Sequence, residues 1–328
     1  MRKLVIVVAC GVLAACQSSP SRHGAVAASA DDVARLSAVL AGTYDNHEQV
    51  QRAGTAVRDG TVLAIPHVRE HWSALSRGRD GSLWLWRLET VDAAHTARAA
   101  WLVVISAGAD GAGVILTPYR AVDPATAKTA IETPDKFRFV AAQWAELAPC
   151  VQRGTWDGAR FIAQADAAAC SALLPGLGAD AALLPLRMEL DGDLLRTVTF
   201  ADQARGAQAD IATRRVRWFS GWVAINGGGP KAGAGNNDWH LHKDLRLSSE
   251  GGRAPVLWRD GAASGWSLEL ERKSYPERKL EVLQLNVIDD ASGAIIDYAW
   301  TDPSARAIGF NLGWLQVGLT EAVAPKPR

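Results

Sequence analysis

Asp-Gly pairs recur along this chain at 59–60, 80–81, 110–111, 157–158, 191–192 and 260–261, and apolar or alternating runs flank most of them. Asp-Gly suits the left-handed dihedrals of a two-residue hairpin loop, so each pair marks a place where a strand can reverse on itself. Segments 82–91, 99–106, 113–119, 159–165, 194–200, 214–225, 266–272, 280–288 and 294–300 all read as strands. Six hairpins with few helical interruptions predict a mostly β chain, with an antiparallel sheet curled into a barrel. The clearest helix is 28–42. Asp31 or Asp32 caps it, Val33, Leu36, Val39 and Leu40 form one apolar face, and Gly42 stops it. Segments 123–131 and 135–147 are further helical candidates.

The first residues bear on the compartment. Arg2 and Lys3 precede a short apolar run that ends Leu13-Ala14-Ala15-Cys16. A basic start, a stretch too short to span a bilayer and small residues at the cut describe a secretory signal peptide. The ending resembles a lipoprotein box, which implies that 1–15 are removed and that Cys16 becomes the lipid anchor. Gln17 and Ser18 rather than an aspartate follow it, and by resemblance this favours the outer membrane, facing the periplasm. Cys10 would leave with the signal peptide. Cys150 and Cys170 are then an even pair in an oxidising compartment, and a disulfide is the expectation. Closing that loop is worth about 3 kcal/mol through the unfolded chain.

Lys plus Arg and Asp plus Glu both total 35, so the chain offers no basic field for nucleic acid. Residues 16–30 are Ser-, Ala- and Gly-rich and read as a flexible tether. The Gly-rich stretch 227–238 lacks the Gly-Lys-Ser/Thr of a phosphate loop and is read as a linker. It divides a barrel over 31–230 from a smaller β-rich unit over 231–328. Thirteen Trp against four Tyr is unusual usage, and such rings either fill a core or line a cavity.

Three stretches in order, 40–51, 82–103 and 146–170, resemble the CpcT/CpeT family of chromophore lyases. The first carries Tyr44, Asn46 and Gln49 after the opening helix, the second a strand, loop and strand with Arg98, and the third Cys150 and Cys170 around a hairpin. The likeness covers roughly 31–230. It implies a calycin-like antiparallel barrel with an open mouth and an N-terminal capping helix. It also implies that the barrel holds a linear tetrapyrrole (a bilin) or another apolar ligand for transfer to a client protein. Tyr44, Asn46, Gln49, Trp84, Trp86 and Arg98 are the ligand-binding candidates by this reading. An arginine can grip a propionate bidentately. Where the family carries an acidic residue, this chain reads Trp84-Leu85-Trp86-Arg87, and His95-Thr96-Ala97-Arg98 keeps only the final arginine of another family pattern. The alternative is a structural or interaction lipoprotein with a filled barrel and a docking C-terminal unit.

The remaining constellations are weaker. His67-Val68-Arg69-Glu70-His71 matches an inverted zinc-protease motif, but Pro66 and the strand-like lead into it argue for extended chain. There the two imidazoles stand about 13 Å apart, too far to share one ion. His240 and His242, with Asp238 and Asp244 nearby, share a strand face, yet no third ligand follows. No metal site is expected.

Overall fold

The computed structural model describes residues 22–56, 66–77, 81–91, 98–109, 113–133, 136–173, 183–202, 207–231, 233 and 235–322. Helix α1 (Arg22–Leu40) leads into β1 (Gly42–Asp45) and α2 (His47–Ala56). Strands β2 (Val68–Arg77), β3 (Gly81–Thr90), β4 (Arg98–Ala107) and β5 (Val114–Ala121) follow. After α3 (Pro124–Glu132) come β6 (Trp144–Glu146), β7 (Gln152–Asp157), β8 (Arg160–Gln164) and the short α4 (Ala167–Ser171). Strands β9 (Pro185–Asp191), β10 (Leu194–Asp202) and β11 (Ala207–Arg215) complete this half.

Strands β1 to β5 and β7 to β11 close into a ten-stranded antiparallel barrel, sealed by the pairing of β4 with β5. The Asp-Gly pairs explain much of this. Those at 157–158 and 191–192 connect β7 to β8 and β9 to β10, and 80–81 and 110–111 fall between β2 and β3 and between β4 and β5. Gly81 itself opens β3, while Asp80 and the pairs at 59–60 and 110–111 lie outside the described residues. In the β7–β8 turn, a loop made of Asp157 and Gly158 would pair Trp156 with Ala159, but the loop residues are Gly158 and Ala159, so Trp156 faces Phe161. Gly158 has φ +60°, and a turn with positive φ only at its first central residue places Gly there. Asp157 is thereby pushed back into the strand, opposite Arg160. The register moves by two residues, which preserves which face each side chain takes.

Alternation along β3 sends Trp84, Trp86 and Leu88 into the barrel. Leu85 points outward and is buried just as fully, beneath Ala130 of α3, Phe137 and Trp144. Register sets Trp72, Trp86 and Trp101 side by side across β2, β3 and β4, and their rings stack at centroid distances of 5.6 and 4.9 Å. Val33, Leu36 and Leu40 of α1 join the same core as expected, whereas Val39, expected on that face, is exposed, because it lies round the helix from the stripe the other three form. The helix begins at Arg22, however. Asp31 and Asp32 are therefore interior positions and not the cap, and 22–30 is helix where a tether was expected. Helix α3 is capped as its sequence suggests: Asp123 accepts from Thr126 N at 2.9 Å. Segment 135–147 is not an α-helix. Among its described residues it forms a single 3-10 turn and then β6, because Trp144 is needed on the outside of the barrel.

Cys150 and Cys170 are bonded, with sulfurs 1.98 Å apart and both residues fully buried. The strand after the β7–β8 hairpin ends before Asp166, whose carboxylate caps α4 through Ala168 and Ala169 N, and the bend returns Cys170 to Cys150.

The chain leaves the barrel at Val216-Arg217, ahead of the glycine-rich stretch. Strand β12 (Trp218–Asn226) already pairs with β13 (Trp239–Ser248) and β19 (Leu315–Glu321), so 227–238 is a loop inside the second unit and does not divide the two. That unit is a sandwich. Its first sheet has the order β13-β12-β19-β18, with β18 at Ala307–Asn311. The second consists of β14 (Glu250–Leu257), β15 (Ala263–Tyr275), β16 (Leu280–Asp289) and β17 (Ile295–Thr301) in sequential order. Phe219, Ile225, Leu247 and Val317 from one sheet meet Leu268, Leu270, Leu285 and Val287 from the other in one core.

Candidate functional site

Of the candidates for ligand contact, Tyr44, Trp84 and Trp86 are buried within the barrel core. The Trp86 indole donates to Glu70 Oε2 at 3.1 Å, and Trp84 donates to Ser82 Oγ at 2.7 Å. Tyr44 donates its hydroxyl proton to Leu40 O at 3.0 Å, and Arg215 donates to that hydroxyl in turn. Asn46 and Gln49 bond backbone outside the core: Val68 N donates to Asn46, Ala212 N donates to Gln49, and Gln49 donates to Asp210 O. Arg98 opens β4 directly across from Glu89. His95, Thr96, Ala97 and Cys16 lie outside the described residues. The cavity between Trp72, Trp86, Leu116 and Met188 measures about 10 Å³, no more than one water requires.

Glu70 is the carboxylate that motif reading passed over. It lies on β2 in the His67–His71 stretch, where Val68, Glu70 and Trp72 face inward while His67, Arg69 and His71 face outward. Strand alternation was the available signal. Thr197 and Thr213 hydroxyls approach Glu70 Oε1 at 3.5 and 3.4 Å. Burial among these neutral donors pushes the carboxyl up to about 7.

A second polar cluster joins barrel to sandwich. Asp45, fully shielded, accepts from His67 at 2.7 Å, from Arg69 at 2.7 Å and from the His47 backbone N at 2.9 Å. The His47 ring reaches Glu271 on β15 at 3.4 Å. Gly251, with φ +79°, lies against that ring, where a Cβ would come within 2.4 Å of Cε1. Arg214 bridges Glu48 at 2.6 Å and Glu281 at 2.5 Å. Burial opposes the charge on His47, yet the carboxylates of Glu271, Glu269 and Asp45 win and raise its pKa. Burial likewise works against the Glu271 carboxylate, but hydrogen bonds from His47 and Asn286 bring it down to about 2. Burial drives Glu250 well above the usual carboxylate range despite Arg214 and Arg272.

From this seam a hydrogen-bond chain crosses the outer face of the second sheet. Asn286 donates to Glu271 at 2.8 Å, Gln284 donates to Asn286 at 2.6 Å, and the Tyr275 hydroxyl donates to Gln284 at 3.1 Å. There the chain reaches a surface cleft of about 660 Å³ whose walls include Tyr275, Gln284, Tyr298 and Trp300. Register places Trp300 opposite Gln284 and Tyr298 opposite Asn286 on one face of edge strand β17. The two rings are 61% and 56% exposed. Sequence alternation marked 294–300 as a strand, but nothing local distinguished an outward Trp from a core one.

His67 and His71 sit on extended chain, as expected; His67 serves Asp45, and His71 approaches Thr43 at 3.1 Å. The rings of His240 and His242 touch at 4.2 Å between centroids, and His242 Nε2 lies 2.8 Å from Leu257 O, to which it donates. Among the described residues no three His, Cys, Asp or Glu converge as a metal set, and no helix is long and apolar enough to cross a membrane. No protein-family model matches the chain, and no curated protein matches it in sequence.

Proposed function

We propose that the protein is a lipid-anchored binding protein of the cell envelope, in which the filled barrel is a scaffold and the sandwich presents the binding surface. One contrast carries this reading: among the described residues the cavity beside Trp72 and Trp86 has about 10 Å³ of room, against about 660 Å³ in the outer cleft. A tetrapyrrole needs space of the order of several hundred Å³, the usual size of a small-molecule pocket. Stacked Trp72, Trp86 and Trp101 occupy the volume such a ligand would take. The anchor follows from the Leu-Ala-Ala-Cys ending at Cys16.

The test is a titration of the mature chain with biliverdin, haem and a fatty acid, followed by Trp fluorescence. The expected result is no saturable quenching. Saturable one-site quenching that Trp86→Phe alters would overturn the scaffold role and restore the bilin-carrier reading, which draws on the closed barrel and inward Glu70. Anchoring is tested separately: labelled palmitate should enter the wild-type chain and not the Cys16→Ser variant.

A further inference from the structure

We propose that the cleft beside β17 binds a neutral glycan, with sugar rings stacked on Trp300 and Tyr298. This rests on the reading of the sandwich as the binding part and names the ligand class. Side chains at alternate strand positions share a face, and the Cα atoms of Tyr298 and Trp300 stand about 7 Å apart along β17, so both rings front the same cleft. Each presents an apolar π-face to solvent, the surface against which the C–H face of a pyranose packs. Large exposed apolar surface of this kind marks an interaction site more often than chance.

The polar part of the lining narrows the choice. Glu277 and Arg278 bring one charge of each sign to the rim, and Gln284 and Tyr275 bring amide and hydroxyl groups to the wall. An acyl chain would strip water from these groups without replacing its hydrogen bonds, at a cost of roughly 1–3 kcal/mol for each group. The two rim charges are of opposite sign, so the cleft carries no net field that would select an anion or a cation. A neutral polyhydroxylated ligand offers donors and acceptors to both while its C–H face covers the rings. The wall is set before binding: Gln284 is buried and fixed between Tyr275 and Asn286, so little ordering is required when a sugar arrives. The cleft volume lies within the range of small-ligand pockets.

The experiment is a titration of the full chain with soluble cello-, chito- and malto-oligosaccharides, read by Trp fluorescence and by the indole N–H resonances. At least one series should shift the Trp300 resonance saturably. Trp300→Ala should then weaken binding more than about tenfold, as removal of a central aromatic anchor does. Tyr298→Ala should weaken it severalfold. Trp222→Ala, which removes an exposed indole from the other sheet, should leave it unchanged. Unchanged melting of Trp300→Phe and Trp300→Ala establishes that the fold survives. If no series binds, or binding persists in Trp300→Ala, the assignment fails. It also fails if sedimentation shows a dimer that Trp300→Ala dissolves, for then a second copy covers the rings. These outcomes are independent of the biliverdin titration, so loss of the glycan assignment and loss of the scaffold reading are told apart.

Discussion

The two halves of this molecule use the same antiparallel strands and spend their aromatic residues differently: both pack indoles against a core, Trp258, Trp266 and Trp314 in the sandwich, but only the barrel encloses a fully buried stack. The barrel turns Trp72, Trp84, Trp86 and Trp101 inward, and the cavity beside Trp72 and Trp86 keeps only about 10 Å³. The sandwich fills its core chiefly with Leu, Val and Ile, and leaves Tyr298 and Trp300 facing solvent on an edge strand. Closure accounts for the difference. A ten-stranded cylinder has an interior that must either hold a ligand or be filled by its own side chains, and here indoles fill it. An open sheet packs one face and keeps the other free. The half expected from its sequence to carry a ligand is the one whose described core is filled with indoles.

Trp86→Ala attacks that contrast most directly. Truncating a buried indole between two stacked partners should cost about 3–5 kcal/mol. Thermal unfolding should resolve an early barrel transition, with the sandwich transition left in place. A single shifted transition would mean that the two halves stand or fall together. The cavity so made is also the place to look for apolar ligand binding absent from the wild type.

Glu70→Gln comes next. In the folded chain this carboxyl titrates near 7 against 4.5 when free, so its proton stabilises the barrel fully below 4.5 and the benefit is lost as pH rises to 7. The shift corresponds to about 3 kcal/mol. The variant keeps a neutral group beside Trp86 and should flatten the barrel's stability over that window while the sandwich profile stays as it was. An unaltered slope in denaturant titrations at pH 5 and pH 8 would remove Glu70 as its source.

Breaking the disulfide separates the halves in a third way, because the bridge staples only the barrel. Reduction, or Cys150→Ser with Cys170→Ser, should lower the barrel transition by about 3 kcal/mol, the entropy of a loop spanning a separation of 20 residues. An equal loss in both transitions would show that the sandwich depends on the barrel's base.

Strand existence and hairpin order were legible because period-2 alternation and Asp-Gly punctuation are local signals. The buried disulfide was legible from compartment and parity. Three features were not. The register of the β7–β8 hairpin depended on whether Asp or Gly takes the first loop position, a choice fixed by turn type. Sheet membership of 218–226 depended on partners β13 and β19, the latter close to the chain's end, and a glycine-rich loop inside a sheet looks locally like a linker. The direction in which a tryptophan points is set by which face finds a partner. Trp86 and Trp300 both sit on strands at alternating positions with a second aromatic two residues before, yet one is enclosed by β2 and β4 while the other lies on an edge.

The smallest expected effect concerns the seam at which the contrast meets. His47 is held above its ordinary 6.5 chiefly by Glu271, with Glu269 and Asp45 adding to the field and His67 within ring contact. A raised folded pKa means that its stabilisation is complete below 6.5 and disappears as pH climbs through the folded value. Glu271 runs the other way. Lowered to about 2, it stabilises fully above 4.5 and fails only as pH falls toward 2. Docking should then be firmest between 4.5 and 6.5. Glu250, raised by burial despite Arg214 and Arg272, adds a loss of the same sign as His47 that begins as pH rises above 4.5 and so draws that optimum toward its acid end. Hydrogen exchange of the amides in α2 and β15 should quicken from pH 6 to pH 9 once the intrinsic rate is removed. His47→Gln should erase most of that change and leave the acid limb intact, since Glu271 still has Asn286 and Lys273. An alkaline limb of equal size in the variant would assign the whole effect to Glu250.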